Sequence, residues 1–104
     1  MDKEKILNTI KNYLNAVVSN KIPVVKAYLF GSTIKNSENE DSDIDVAIFL
    51  STMNDETDVF NKLMRIRRDF DLRIEPHPFL ETDIDNGNPF INNIVNSGLR
   101  IYWA

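Results

Sequence analysis

Residues 44–50 read IDVAIFL and are apolar at six of their seven positions. A short run that is apolar almost throughout is typical of a central β-strand with both faces buried. Two carboxylates mark its beginning, because Asp43 precedes the run and Asp45 is its second residue. Residues two apart in a strand point to the same face and lie about 6.6 Å apart along the chain. We therefore expect Asp43 and Asp45 to form one acidic edge at the start of a buried strand.

Helical and strand patterns alternate along the rest of the chain. Apolar residues recur at helical spacing near the N-terminus, and a β-branched and aromatic segment stops at Gly31. Asn88 before Pro89 is typical of a helix start, and Gly98 of the matching end. We expect helices over residues 3–19 and 54–68 and between Asn88 and Gly98, and strands over Val24–Phe30, Phe70–Ile74 and Leu99–Trp103. This order predicts an α/β (α+β) fold with helices packed on a small sheet.

The third expected strand, Phe70–Ile74, carries a further carboxylate. We expect it to end before Pro76 and Pro78, because proline cannot donate a hydrogen bond to a strand ladder. Asp71 has apolar neighbours on both sides, which is the pattern of a charged residue on an otherwise packed strand. If this strand lies beside the central one, Asp71 is about 4.8 Å away across the ladder and supplies a third carboxylate.

Carboxylates this close together favour a bound cation. Two adjacent aspartates repel each other, and burying them without compensation costs free energy or raises the pKa of one of them. Hard oxygen ligands suit Mg²⁺ or Mn²⁺, which bind through a few carboxylates together with substrate phosphates. Three such ligands, Asp43, Asp45 and Asp71, can hold two ions about 4 Å apart, an arrangement that stabilises the attacking and leaving oxygens in phosphoryl or nucleotidyl transfer.

Gly31 and Ser32 complete this candidate site. Glycine lets the backbone approach a ligand closely and adopt a positive φ. The serine hydroxyl and the exposed amide groups of a helical turn suit a phosphate. We therefore expect Gly31 and Ser32 to bind the phosphates of a nucleotide.

Each of these signals also has an ordinary structural explanation. A lone D-x-D pair is usually the solvated start of a strand, and a lone Gly-Ser pair is usually only a turn. Their combination with a strand aspartate downstream favours nucleotidyl transfer over coincidence.

Several other residues have alternative explanations that the sequence leaves open. Arg73 and Glu75 are expected on the face of Asp71, where they either form an ion pair or contact the nucleotide. His77 lies between two prolines and is expected in a loop without a catalytic role. The remaining candidates are expected to be structural, either as a solvated basic helix end (Lys62, Arg65, Arg67, Arg68) or as core and rim aromatics (Tyr28, Phe30, Tyr102, Trp103).

Length and composition limit the class of protein. The 104 residues, 1–104, fit a single domain. The formal net charge of −4 argues against direct binding of nucleic acid, whose phosphates need many lysines and arginines. We expect no membrane segment, because no stretch approaches the length of apolar sequence that crosses a bilayer. The absence of cysteine and of a signal-peptide pattern predicts a cytoplasmic location.

The motifs resemble those of a known superfamily. "GS", ten residues, then "DID" is similar to the signature of the DNA polymerase beta-like nucleotidyltransferases, and "RRDFDLRI" resembles the strand that carries their third catalytic aspartate. The length is similar to that of the minimal nucleotidyltransferases (MNT), which are often paired with a HEPN-domain partner. One departure is that Lys35 stands where many minimal members carry an arginine, which binds phosphate through a bidentate fork rather than as a point charge.

The resemblance implies a mixed sheet with flanking helices and two Mg²⁺ ions, with Mn²⁺ as an alternative, held by Asp43, Asp45 and Asp71. It also implies a nucleoside triphosphate, ATP, seated at Gly31 and Ser32. For some members it implies an antitoxin that transfers AMP from ATP to a tyrosine of the HEPN toxin. The alternative hypothesis is a binding module without catalysis that neutralises its partner by occlusion. An oligomer is possible under either hypothesis.

Overall fold

The computed structural model describes residues 3–31 and 43–103. These residues form three α-helices and four β-strands. They are α1 (Lys3–Ser19), β1 (Val24–Phe30), β2 (Ile44–Leu50), α2 (Glu56–Ile66), β3 (Ile74–Leu80), α3 (Pro89–Ser97) and β4 (Leu99–Trp103). No helix within the described ranges is long and apolar enough to cross a lipid bilayer.

The four strands form one mixed sheet in the order β3-β2-β1-β4. Strand β1 is antiparallel to β2 and to β4, whereas β2 and β3 are parallel. The predicted α/β (α+β) class, with a small mixed sheet flanked by helices, is confirmed. Strand β2 lies inside the sheet and has a hydrogen-bonded neighbour on each side.

Helices cover both faces of the sheet, which explains why β2 is apolar at consecutive positions. The even-numbered residues of β2 belong to a core that includes side chains of α1 and α2. Its odd-numbered residues Ala47 and Phe49 belong to a second core with Ile91 and Ile94 of α3. The prediction of a central strand with both faces buried is therefore confirmed.

The prediction for the third strand is wrong. The strand is Ile74–Leu80 rather than Phe70–Ile74, and it contains both prolines. Proline is tolerated there because β3 is an edge strand, whose one partner among the described residues is β2. Pro76 and Pro78 are two residues apart, so their backbone nitrogens point in the same direction. When His77 between them bonds to β2, both proline nitrogens point away from β2.

The connection from α2 to β3 is held by Arg67. Helix α2 is shorter than the predicted 54–68, and a single 3₁₀ turn, Arg67–Asp69, follows it. The guanidinium Nη1 of Arg67 donates hydrogen bonds to the carbonyl oxygens of Leu72 and Ile74, each at 2.8 Å. The expectation of a solvated basic helix end is wrong for Arg67, whose side chain is partly buried. Its hydrogen bonds position the turn from which β3 starts.

Helix α3 begins and ends where the sequence predicts. The side chain of Asn88 caps its first turn and accepts hydrogen bonds from the backbone amides of Phe90 and Ile91. At the other end, the amide of Gly98 donates to the Ile94 carbonyl at 2.7 Å. A Cβ at position 98 would overlap that carbonyl oxygen. Glycine is therefore required because the backbone at position 98 lies so close to Ile94.

Candidate active site

The C-terminal end of β1 and the N-terminal ends of β2 and β3 lie at the same end of the sheet, which we call the acidic edge. This follows from the topology, because β1 is antiparallel to β2, whereas β3 is parallel to it. In the strand register, Asp45 lies opposite Phe30 on one side and beside Glu75 on the other. Gly31 directly follows β1, and Asp43 directly precedes β2. The topology thus brings Gly31 and the D-x-D pair together.

Glu75 lies next to the two aspartates. Because Asp45 and Glu75 are register partners in parallel strands, both face the α3 side of the sheet. The pKa of the Glu75 carboxyl is raised, mainly because it shares a hydrogen bond with the Asp43 side chain. Partial desolvation and the negative charges of Asp43 and Asp45 raise this pKa further, and the nearby His77 opposes them. Glu75 therefore occupies the neighbouring-strand position predicted for Asp71.

Gly31 is in close contact with Asp45. Its φ is +81°, a conformation that residues with a side chain rarely adopt. A Cβ at this position would lie 2.5 Å from Asp45 Oδ2, so any larger residue would displace the carboxylate. Glycine is needed here both for the backbone conformation and for the position of Asp45. Ser32, which was predicted to bind phosphates, lies outside the described residues, and so does Lys35.

His77 belongs to the site, contrary to the expectation of a loop position. It lies within β3, and its Nε2 is 3.1 Å from Asp45 Oδ1. The imidazole also packs beside the Phe30 ring, with centroids 5.2 Å apart. The side chains of His77 and Asp45 are 31% and 25% exposed, so both remain accessible to a ligand. His77 therefore holds one carboxylate oxygen of Asp45 in place.

Asp71 lies in the turn before β3 and not on a strand. Its carboxylate forms a bidentate ion pair with Arg73, in which Arg73 Nη2 is 2.8 Å from Oδ2 and Nε is 3.1 Å from Oδ1. The backbone amide of Arg73 also donates to Oδ1 at 2.9 Å. These hydrogen bonds from Arg73 lower the pKa of Asp71. The sequence left open whether Arg73 pairs with Glu75 or contacts the nucleotide, and the structure shows an ion pair of Arg73 with Asp71.

The acidic edge carries oxygen donors that suit a divalent cation, but within the described part of the chain they are not assembled into a metal site. Among residues 3–31 and 43–103, no three His, Asp or Glu side chains converge as a metal site. The carboxylates instead interact in pairs, Asp43 with Glu75 and Asp45 with His77. The donor atoms are mainly hard carboxylate oxygens, which Mg²⁺ and Mn²⁺ prefer. The edge fits such a cation by ligand chemistry and strand register, and side-chain rotation would have to complete the coordination.

The sequence analysis did not place Glu75 and His77 beside Asp43 and Asp45, because it located the third strand too early in the chain. The segment EPHPF alternates proline with other residues, and that alternation is compatible with an edge strand. Read in this way, Glu75 and His77 share one face at the spacing of Asp43 and Asp45. The signal was present, but its interpretation depends on knowing which strand lies at the edge.

Comparison with known proteins gives one family. The family model described as "Polymerase beta, Nucleotidyltransferase" matches residues 8–104. The match includes all four strands, α2, α3 and most of α1. No curated protein matches the sequence.

Proposed function

As a member of the polymerase beta nucleotidyltransferase family, this chain is a nucleotidyltransferase, and we propose that it transfers AMP from ATP to a tyrosine hydroxyl of a HEPN-domain toxin. The acceptor oxygen would form a bond to the α-phosphorus, and the bond from that phosphorus to the β-phosphate oxygen would break. Pyrophosphate is the leaving group. In this proposal, the protein is the antitoxin of a toxin–antitoxin pair.

The main support is the grouping of carboxylates at one edge of the sheet. Asp43 and Asp45 at the start of β2 meet Glu75 at the start of β3, beside Gly31, which directly follows β1. A triphosphate can approach the backbone closely at a glycine turn, while hard oxygen donors lie next to it. Such an edge is suited to nucleotidyl transfer.

We assign Asp43, Asp45 and Glu75 as the residues that would hold Mg²⁺ or Mn²⁺. When bound, such a cation neutralises triphosphate charge and makes the acceptor hydroxyl easier to deprotonate. The structure favours Glu75 over Asp71 as the third ligand, because Asp71 is paired with Arg73 in the preceding turn. His77 keeps Asp45 oriented through the contact between Nε2 and Oδ1.

Glu75 is also the best placed general base. Its carboxylate lies beside Asp43 and Asp45 at the acidic edge, where the acceptor hydroxyl group would have to approach the triphosphate. A carboxylate placed next to the attacking group can accept its proton. We therefore propose that a Glu75 carboxylate oxygen takes the proton of the attacking hydroxyl group.

The proposal of a protein acceptor rests on the resemblance to minimal nucleotidyltransferases and not on a contact in the structure. The Gly-Ser pair, the ten-residue spacing and the D-x-D pair are similar to those of minimal nucleotidyltransferases that act with HEPN partners. The negative net charge is unfavourable for a nucleic acid acceptor.

The test is transfer of label from α-³²P-ATP to a co-purified HEPN partner in the presence of Mg²⁺. We expect Asp45→Asn and Glu75→Gln to lower the labelling rate by roughly a hundredfold or more, because each removes a ligand or the base. We expect Asp71→Asn, assayed below the unfolding temperature of this variant, to label the partner at nearly the wild-type rate. The matched control is Asp69→Asn, which removes the same charge from an exposed residue in the same connection between α2 and β3.

Two results would contradict parts of this proposal. If Asp71→Asn abolishes labelling while Glu75→Gln does not, Asp71 is the third catalytic carboxylate. If a stable complex forms with the partner and wild-type protein adds no label, the occlusion hypothesis is correct instead.

A further inference from the structure

An exposed aromatic side chain lies beside the candidate active site. Phe90 is the second residue of α3 and is 52% exposed. It is not part of the core under α3, which contains Ile91 and Ile94 of the same helix. Its backbone amide is fixed by the Asn88 cap, so the start of the helix sets the position of the ring.

A series of ring contacts connects Phe90 to the carboxylates. Phe90 meets Phe30 in a T-shaped contact, with centroids 6.0 Å apart and planes at 84°. It also contacts the ring of Phe79, with centroids 6.2 Å apart. Phe30 in turn packs on His77, whose Nε2 is 3.1 Å from Asp45 Oδ1. The exposed ring is thus two ring contacts away from a side chain that touches Asp45.

Location distinguishes Phe90 from the other exposed apolar residues. Single exposed apolar side chains are common on protein surfaces and need no explanation by themselves. Trp103 is 60% exposed on the opposite edge strand, where it pairs with Lys26 at the end of β1 away from Gly31. Phe90, in contrast, contacts Phe30, which ends β1 next to Gly31, and it is further supported by Phe79 of β3.

We propose that Phe90 is the surface on which the base of the bound nucleoside triphosphate stacks. This inference rests on the proposed function, which places the phosphates at Gly31, Asp43 and Asp45. The ribose separates the base from the α-phosphate, so a base lies a short distance beyond the carboxylates. An aromatic ring that is held on one side by Phe30 and Phe79 and exposed on the other can stack with such a base.

Stacking of this kind tolerates different bases, because every base has an aromatic face. We therefore expect Phe90 to contribute to affinity for both ATP and GTP. It should contribute nothing to the affinity for inorganic tripolyphosphate, which has the phosphates and lacks the base. This difference separates a base contact from a general effect on the phosphate site.

The experiment measures the dissociation constants of ATP and of tripolyphosphate, each with Mg²⁺, for three variants and the wild-type protein. Phe90→Ala should weaken ATP binding roughly tenfold or more and leave tripolyphosphate binding unchanged. Phe90→Trp, which keeps an aromatic surface, should retain ATP affinity. Trp103→Ala removes a more exposed aromatic side chain at the end of the sheet away from Gly31 and should change neither constant. Circular dichroism checks that each variant is folded.

The possible failures can be told apart. Unchanged ATP binding by Phe90→Ala, or an equal loss for ATP and tripolyphosphate, would overturn the stacking assignment and leave the proposed function intact. Loss of ATP affinity in Phe90→Trp as well would also overturn it. If wild-type protein binds neither ligand, the proposed function fails together with the inference.

Discussion

Gly31 illustrates how a single residue limits the geometry of the site. It has a positive φ and also lies against the carboxylate of Asp45. Gly87 has a similar φ of +73°, yet a Cβ there would meet no atom within 4 Å. The two glycines share the same conformational requirement and differ in their surroundings. Comparing them therefore isolates the effect of the Asp45 contact.

We predict that Gly31→Ala is more damaging than Gly87→Ala. Both alanines should cost about 1 kcal/mol in the free energy of unfolding, because an L-residue disfavours positive φ. Gly31→Ala should cost roughly 1–3 kcal/mol more, since its Cβ displaces Asp45. It should also abolish nucleotide transfer, whereas Gly87→Ala should not. Urea unfolding and the labelling assay measure the two effects, and equal behaviour of the two variants would contradict the prediction.

At the scale of elements, helix α3 is fixed at both ends. The Asn88 cap holds its first turn, and Gly98 allows the chain at its other end to lie close to the carbonyl oxygens of Ile94 and of Leu29 in β1. Phe90 and Ile91 follow the cap, so the cap positions both the exposed ring and the core side chain. The position of this helix relative to the sheet therefore determines where the aromatic surface lies beside the acidic edge.

We predict that Gly98→Ala destabilises the protein by roughly 1–3 kcal/mol, as is typical of overpacking. The added methyl group would overlap the carbonyl oxygen of Ile94 and lie 3.1 Å from that of Leu29. Ser97→Ala changes the exposed neighbouring residue and should stay within about 0.5 kcal/mol of wild type. The measurement is the midpoint of urea unfolding. A Gly98→Ala midpoint equal to that of Ser97→Ala would disprove the close contact.

At the scale of the whole molecule, positive charges brace the connection that leads into the acidic edge. Arg67 ties the end of α2 to the start of β3, and Arg73 pairs with Asp71 in the same turn. The protein has a net charge of −4, so these arginines offset acidic charge near the site. The turn between α2 and β3 is therefore expected to be sensitive to acid.

We predict that Asp71→Asn lowers stability at neutral pH and loses this effect in acid. The pKa of Asp71 is lowered in the folded protein, so its ion pair stabilises the fold above the ordinary Asp pKa of about 3.9. This stabilisation is lost as the pH falls through the lower pKa of the folded state. We expect a difference of about 0.5–1 kcal/mol between wild type and variant at pH 6. Thermal unfolding from pH 2 to 7 measures it.

The matched control for this pH series is Asp69→Asn, because Asp69 is an exposed acidic residue in the same turn. It should differ little from wild type across the series. If the difference in stability between the wild-type protein and Asp71→Asn stays constant down to pH 2, the assigned ion pair is contradicted.

The local pattern of the sequence was sufficient for much of the fold. The apolar run Ile44–Leu50 identified the central strand, because a run this short that is apolar at nearly every position is typical of a strand covered on both faces. The caps at Asn88 and Gly98 identified α3, since both act within a few residues of themselves. The spacing of Gly31 and the D-x-D pair identified the polymerase beta nucleotidyltransferase family, which the family match confirms.

The tertiary structure alone decided which residues accompany Asp43 and Asp45. Whether a strand tolerates Pro76 and Pro78 depends on its lying at the sheet edge, and strand order is not a local property. Once β3 is placed there, its parallel register with β2 brings Glu75 and His77 to the acidic edge and leaves Asp71 in the turn. Local pattern thus determined the strands and caps, whereas the neighbours of each carboxylate depended on pairing between distant segments.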